Sequence, residues 1–238
     1  MSNEAGQALV TGSSSGIGLA VARRLLADGW QVCGFDVAAP AIEDGRFEAV
    51  QVDMTDRAAL DAALASVGCA APLRTFTAAV HAAGILRPAS LGALDPAHGE
   101  AMWRLHVEAA TQLANVLLPQ MAQAGRGRMV VIGSRVARGV AGRSQYAATK
   151  AALASLARSW AAEVVTSGVT VNVVAPAATQ TGMLSDPARQ GTPSRVPPIG
   201  RLLQPEEVAA LVAYLLSPVA AAITGQEIQI CGGTSLTP

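Results

Sequence analysis

The chain has 238 residues, of which 51% are hydrophobic and 3% aromatic, and 17 basic residues balance 17 acidic ones. That length allows one large α/β domain with a sizeable core, and the even charge lacks the basic face that phosphate-backbone binding needs, which excludes nucleic acid as the expected partner. No apolar run reaches the roughly 18 residues of a membrane helix, and Met1 to Gly6 has neither the basic start nor the apolar stretch of a secretory signal, so no membrane partner and a cytoplasmic location are expected.

Short β-type runs alternate with longer helical ones along the whole chain. Ala8-Leu9-Val10 reads as the first strand, and Ile17 to Ala27 as the first helix. Strands follow at Gln31 to Phe35 and Glu48 to Val52, then a helix over Arg57 to Val67 and a strand over Phe76 to Val80. Glu100 to Ala124 is helical, broken or ended around Pro119 and Gly125. Arg128 to Ile132 is the fifth strand, Ser144 to Thr166 an Ala-rich helix, and Val169 to Val174 the sixth strand. Pro205 to Leu216 opens as helices open, on Pro and Glu, and Glu227 to Ile230 is the last strand. This βαβα order predicts a single Rossmann-type α/β domain spanning 1–238, a doubly wound parallel sheet of about seven strands flanked by helices. Residues 179–201, rich in Pro, Gly, Ser and Arg, follow the sixth strand and read as a substrate-binding loop at the carboxyl edge of the sheet. Cys33, Cys69 and Cys231 lack metal-ligand spacing and read as small buried side chains in a reducing compartment.

Thr11-Gly12-Ser13-Ser14-Ser15-Gly16-Ile17-Gly18 lies between the first strand and helix. Gly12 permits a tight turn, Gly16 a close approach of backbone to phosphate, and Gly18 close helix–strand packing. The free amides and positive dipole end of the helix suit a pyrophosphate. Asp36, after the second strand, is placed to accept hydrogen bonds from the adenosine ribose and to repel a 2′-phosphate. No Arg stands beside the loop or directly after Asp36, so NAD is expected and NADP is less favoured. Asp53 and Met54, after the third strand, are candidates to meet the adenine, with a turn or cap role for Asp53 equally open.

Tyr146 and Lys150 are four residues apart on one helix and share a face. A phenol titrates near 10, and bringing it toward neutrality, by ~3 units, takes about 4 kcal/mol. A neighbouring ammonium and an oxidised nicotinamide in a desolvated site are suited to supply this. Ser134 ends the fifth strand twelve residues before Tyr146. Taken together, the Gly-rich loop, this Ser and Tyr-x-x-x-Lys resemble the short-chain dehydrogenase/reductase family. Ala82-Ala83-Gly84, Asn172 to Pro176 with Thr179 and Thr181, Gly200-Arg201 with Pro205-Glu206-Glu207, and Ile223-Thr224-Gly225-Gln226 through Gly232-Gly233 resemble further elements of it. By this resemblance Tyr146 exchanges a proton with the substrate oxygen while hydride moves at the nicotinamide, and Ser134 polarises the same oxygen. Lys150 lowers the Tyr146 pKa and binds the nicotinamide ribose, Thr181 meets the carboxamide, and Pro176 shapes the nicotinamide pocket.

Four positions depart from the family pattern. His81 and His106 stand where Asn is usual, Ala177 replaces a Gly, and Cys231 replaces an Asp. His106 is expected to take over the relay or helix-bending role of that Asn, or else to be a packed core His. The expected activity is NAD-dependent interconversion of a small-molecule secondary alcohol and ketone. An NADP-dependent reductase of 3-oxoacyl thioesters, whose C-terminal segment this chain's resembles, or of other activated ketones is the alternative, and a non-catalytic nucleotide-binding member is a further one. Arg87, Arg135, Arg143, Arg189 and Arg195 with Val136, Val140, Met183 and Leu184 are candidate substrate contacts, the arginines suited to a carboxylate or phosphate. The resemblance implies a homotetramer or homodimer built on the two long helices, with Ala147, Ala148, Ala151, Ala154 and Ala157 on the expected faces.

Overall fold

The computed structural model describes residues 6–69, 75–186 and 195–236. Seven strands form one sheet in the order β3-β2-β1-β4-β5-β6-β7. They are β1 (Gln7–Thr11), β2 (Gln31–Asp36), β3 (Phe47–Gln51), β4 (Ala78–His81), β5 (Gly127–Ile132), β6 (Val169–Pro176) and β7 (Glu227–Ile230). Every pairing is parallel.

Parallel strands need crossovers, and helices supply them on both faces. α1 (Gly16–Ala27) and α6 (Pro205–Leu216) cover one face. α2 (Arg57–Ser66), α4 (Ala109–Gln123) and α5 (Ser144–Val164) cover the other. The inner strands β1, β4, β5 and β6 are buried on both sides, and alternate residues feed alternate layers. Leu9, Ala79, Met129, Val131 and Val171 pack under α2, α4 and α5. Ala8, Val10, Val80, Val130 and Val174 pack under α1 and α6. The small side chains account for the scarcity of aromatics, since they let the helices lie close to the sheet.

The sheet reverses its winding between β1 and β4. Loops leaving these two strands part in opposite directions, which opens a crevice at the carboxyl edge. α6 is held at its start by a capping box in which the Gln204 N–H donates to the Glu207 carboxylate, itself paired with Arg201 at 2.7 Å.

Several expected boundaries move. Phe76 is buried but precedes the first β1–β4 pair, Ala8 with Ala78, so β4 runs from Ala78 to His81. The helix expected from Glu100 starts earlier, as α3 (Pro96–Trp103), because Asp95 caps it by accepting the Ala97 N–H. A π-helical turn, Arg104–Glu108, joins α3 to α4. Pro119 does not break α4, which runs through it to Gln123. The apolar face of Leu113, Ala114, Leu117, Leu118 and Met121 is buried on the sheet and outweighs one missing backbone hydrogen bond. The three cysteines are buried and not joined in disulfides. No helix among the described residues is long and apolar enough to cross a membrane.

Candidate active site

A cavity of about 1100 Å³ opens at the carboxyl edge of the sheet. It exceeds the usual few hundred to roughly 1,000 Å³ of small-ligand sites, which gives room for a dinucleotide and a second molecule.

Its floor begins at the Gly-rich loop. Gly12 has φ +69°, a conformation that suits glycine, and a side chain there would press on the Ala83 backbone at 3.0 Å. A Cβ on Gly18 would run into the Gly12 carbonyl, so both glycines let the turn fold tightly under α1. Ser15 is the N-cap residue of α1 but makes no side-chain cap, which leaves the first amides of the helix to the cavity wall formed by Ser15, Gly16, Ile17 and Gly18. Uncapped amides at a helix start are an anion cradle, and a pyrophosphate fits it.

Asp36 lies at the end of β2, and both its oxygens are held in place. Oδ2 accepts the Ser14 N–H and Oδ1 the Ala38 N–H, each at 2.9 Å. Ser14 therefore braces Asp36 from behind and does not line the cavity. Asp53 and Met54 line the same end, and Asp53 also closes its own turn by accepting the Thr55 N–H and hydroxyl. Val37 and Val52, not singled out in the sequence, complete an apolar slot there. Among the described residues lining this end there is no Lys or Arg.

Ala82, Ala83 and Gly84 form the wall beyond β4. Thr11 fixes them, because its Oγ1 accepts both the Ala82 and Ala83 N–H groups at 3.1 Å. With both lone pairs used, its own proton goes to His81 Nδ1, 3.0 Å away. The His81 proton then sits on Nε2, which is buried and has no hydrogen-bond partner among the described residues. Burial, with Lys150 adding repulsion, pushes the His81 pKa down to about 3.

The candidate catalytic side chains converge at the centre. Ser134, Tyr146 and Lys150 all line the cavity and all are buried. The Ser134 Oγ accepts the Val136 N–H at 3.2 Å, which leaves its proton to donate into the cavity. Lys150 donates from Nζ to the Ile132 carbonyl at 2.9 Å and lies 5.7 Å from the centre of the Tyr146 ring. Burial brings the Lys150 pKa down to about 7. An ammonium this poorly solvated interacts strongly with any phenolate formed at Tyr146.

His106 lies behind this wall and does not line the cavity. Its Nε2 accepts the Ile85 N–H at 3.0 Å, so the proton is on Nδ1 and goes to Thr149 Oγ1 at 2.8 Å. Thr149 in turn donates to the Tyr146 carbonyl at 2.8 Å, and the His106 and Tyr146 rings meet edge to face with centroids 5.6 Å apart. Burial first, then Lys150 and His81, holds His106 well below the usual imidazole range. Both ring nitrogens are engaged, so the relay expected of His106 has no open nitrogen. The π-helical turn that carries it is the bend that brings the ring between Ile85 and Thr149.

Pro176, Ala177, Thr179 and Thr181 line the far wall. No described non-glycine residue has a positive φ, so Ala177 takes the place of a Gly without strain. Thr179 bridges to Leu203, which closes the two ends of the expected substrate loop on each other. Within the loop, Asp186 pairs with Arg87 at 2.9 Å and ties it to the segment after β4. This pair spans 99 positions and had no local signal in the sequence. Arg189 lies outside the described residues. Cys231, near the loop base, contacts Ser235 Oγ at 3.1 Å, a hydrogen bond that the usual carboxylate would also make.

Comparison with known proteins agrees with this geometry. A family model described as enoyl-(acyl carrier protein) reductase matches residues 12–235. The chain is 36% identical over 236 residues to the 3-oxoacyl-(acyl-carrier-protein) reductase FabG of Escherichia coli strain K12, covering 95% of this chain and 96% of that protein. It is 35% identical over 243 residues to the FabG of Salmonella typhimurium, covering 98% of each. A solved short-chain dehydrogenase/reductase family protein superposes with a TM-score of 0.85 at 32% identity, covering 100% of both chains. With a doubly wound sheet, a Gly-rich turn under α1, and Ser134, Tyr146 and Lys150 lining one cavity, the chain belongs to the short-chain dehydrogenase/reductase family of oxidoreductases.

Proposed function

We propose that this oxidoreductase interconverts a 3-oxoacyl thioester and its 3-hydroxy counterpart, and that it draws on NAD(H) in preference to NADP(H). The relatives at 35 and 36% identity support the acyl substrate, which moves the reading from a general secondary alcohol toward the alternative weighed in the sequence. Asp36 carries the cofactor preference. Its carboxylate, clamped by two amides, keeps outward lone pairs for ribose hydroxyls and presents a fixed negative charge to any 2′-phosphate.

A bound nicotinamide supplies or accepts the hydride. Tyr146 moves the proton at the substrate oxygen, and Ser134, with its hydroxyl proton free to donate, holds the same oxygen and stabilises charge developing there. Lys150, anchored on Ile132, favours the phenolate of Tyr146. Its buried ammonium is also suited to the nicotinamide ribose, while Thr181 and Pro176 shape the nicotinamide end. His106 acts as a positioning residue, fixing the Ile85 amide and, through Thr149, the backbone of Tyr146.

The test is steady-state reduction of 3-oxobutanoyl-CoA, with cyclic and sugar-derived ketones in parallel, using NADH and NADPH on the wild type and on Asp36→Ser. The expected result is thioester turnover with kcat/KM at least ~10-fold higher for NADH, and loss of that preference in the variant. NADPH-linked turnover equal to or above NADH-linked turnover contradicts the cofactor reading. Turnover confined to the other ketones contradicts the acyl reading.

A further inference from the structure

The cavity is electrostatically divided. Its carboxylates Asp36 and Asp53 follow β2 and β3, at one end of the sheet. The opposite end, beyond β4, is lined by Arg135, Arg143 and Arg195, and its one lining carboxylate among the described residues, Asp186, is paired with Arg87. The guanidinium groups come from three separate elements. Arg135 directly follows Ser134. Arg143 stands at the start of α5, one turn before Tyr146, and is held by a bridge to Ala89. Arg195 belongs to the substrate loop.

Arg135 is the informative member. It is half-buried and lines the cavity beside the candidate catalytic Ser, yet no ion pair or side-chain hydrogen bond engages it among the described residues. A partly desolvated guanidinium without a counter-charge is unfavourable, and its fork geometry matches a carboxylate or phosphate. Val136, Val140 and Met183, which cluster with Tyr146, and Leu184 give the same cavity an apolar lining. We infer that the substrate is anionic. Arg135, helped by Arg143 and Arg195, binds a carboxylate or phosphate that the substrate carries away from its reacting carbonyl. This inference rests on the proposed carbonyl chemistry at Tyr146. The charged group belongs either to the far end of the acyl chain or to the pantetheine side of the thioester.

Three probes separate these sources. One is 3-oxobutanoyl-CoA, which carries phosphate. The second is the N-acetylcysteamine thioester of the same acyl group, which carries no charge. The third is the N-acetylcysteamine thioester of 3-oxohexanedioic acid with its terminal carboxylate free. On the wild type, one charged probe is expected to show a KM about 10- to 100-fold below the neutral one, the range of a charge-assisted hydrogen bond. A lower value for the coenzyme A thioester places the anion on the pantetheine side, and a lower value for the diacid places it at the acyl end. In Arg135→Gln the ratio is expected to collapse toward one, with partial recovery in Arg135→Lys. Equal KM values for all three probes on the wild type overturn the inference, as does a ratio that survives both Arg135→Gln and Arg143→Gln. If no thioester turns over, the acyl reading fails, and the anion site is read directly by calorimetry of glutarate and inorganic phosphate on the NADH-loaded protein. Binding that disappears in Arg135→Gln sustains the site; no binding to the wild type overturns it.

Discussion

His81 and His106 bury two neutral imidazoles within the electrostatic reach of Lys150 and of each other. In the unfolded chain both protonate near pH 6.5. Below that pH the unfolded state binds more protons than the folded state, so stability falls as pH drops from about 6.5 toward the value of about 3 held by His81. The slope is expected to reach about 1 kcal/mol per pH unit for each imidazole. Denaturant midpoints measured between pH 7 and 4 are expected to decline less steeply in the double variant His81→Asn/His106→Asn than in the wild type. Parallel declines would show that carboxylates alone govern acid sensitivity. At this scale the sequence was informative wherever a residue type carries its own chemistry. Tyr146, Lys150, Ser134 and Asp36, singled out by type, all line the one cavity. The partners of these residues were not legible. Thr11 and Thr149 have no distinguishing local pattern, and their value lies in hydrogen bonds that cross 70 and 43 positions. His106 was visible as an oddity, but its tautomer, and so its closed role, depends on the Ile85 amide that the fold brings to it.

Among the elements, α1 and its loop carry the tightest steric requirement. A methyl on Gly18 would collide with the Gly12 carbonyl, and backbone cannot yield as a flexible side chain can. Gly18→Ala is therefore expected to lift α1 from the loop, weaken NADH binding by at least ~10-fold in a fluorescence titration, and lower the melting temperature. Wild-type affinity in this variant would mean that the loop does not cradle the cofactor. Most strands and helices were legible because short apolar runs, as expected of strands buried on both faces, alternate with longer segments of helical apolar spacing. The π-helical turn at Arg104–Glu108 was not, since one extra residue in a turn leaves the apolar pattern nearly unchanged. Pro119 misled for the opposite reason: a strong local signal yields here to the buried face that surrounds it.

For the whole molecule, the doubly wound parallel sheet was legible in the alternation of elements, whereas the order of its strands was not, because alternation alone leaves several orders open; the cavity lies at the carboxyl edge that such a sheet offers to ligands. Assembly is less legible, because an Ala-rich helix face suits burial inside the chain or between chains. Ala147 and Ala157 are buried within the chain, whereas Ala148 and Ala151 are exposed on α5. We propose that these exposed positions pack against a second copy in a homodimer or homotetramer. Light scattering is expected to give a multiple of the 24.1 kDa chain mass, reduced in Ala148→Glu/Ala151→Glu, and a monomeric wild type would end this proposal. The central claim is that one cavity binds a nicotinamide cofactor and uses Tyr146 to move the proton. Its most direct test is Tyr146→Phe, measured for both NADH binding and turnover of the best thioester. Turnover is expected to fall by about 10³-fold or more while NADH still binds within a few-fold of wild type, the pattern of a group needed for proton transfer and little for binding. Undiminished turnover in Tyr146→Phe would contradict the account.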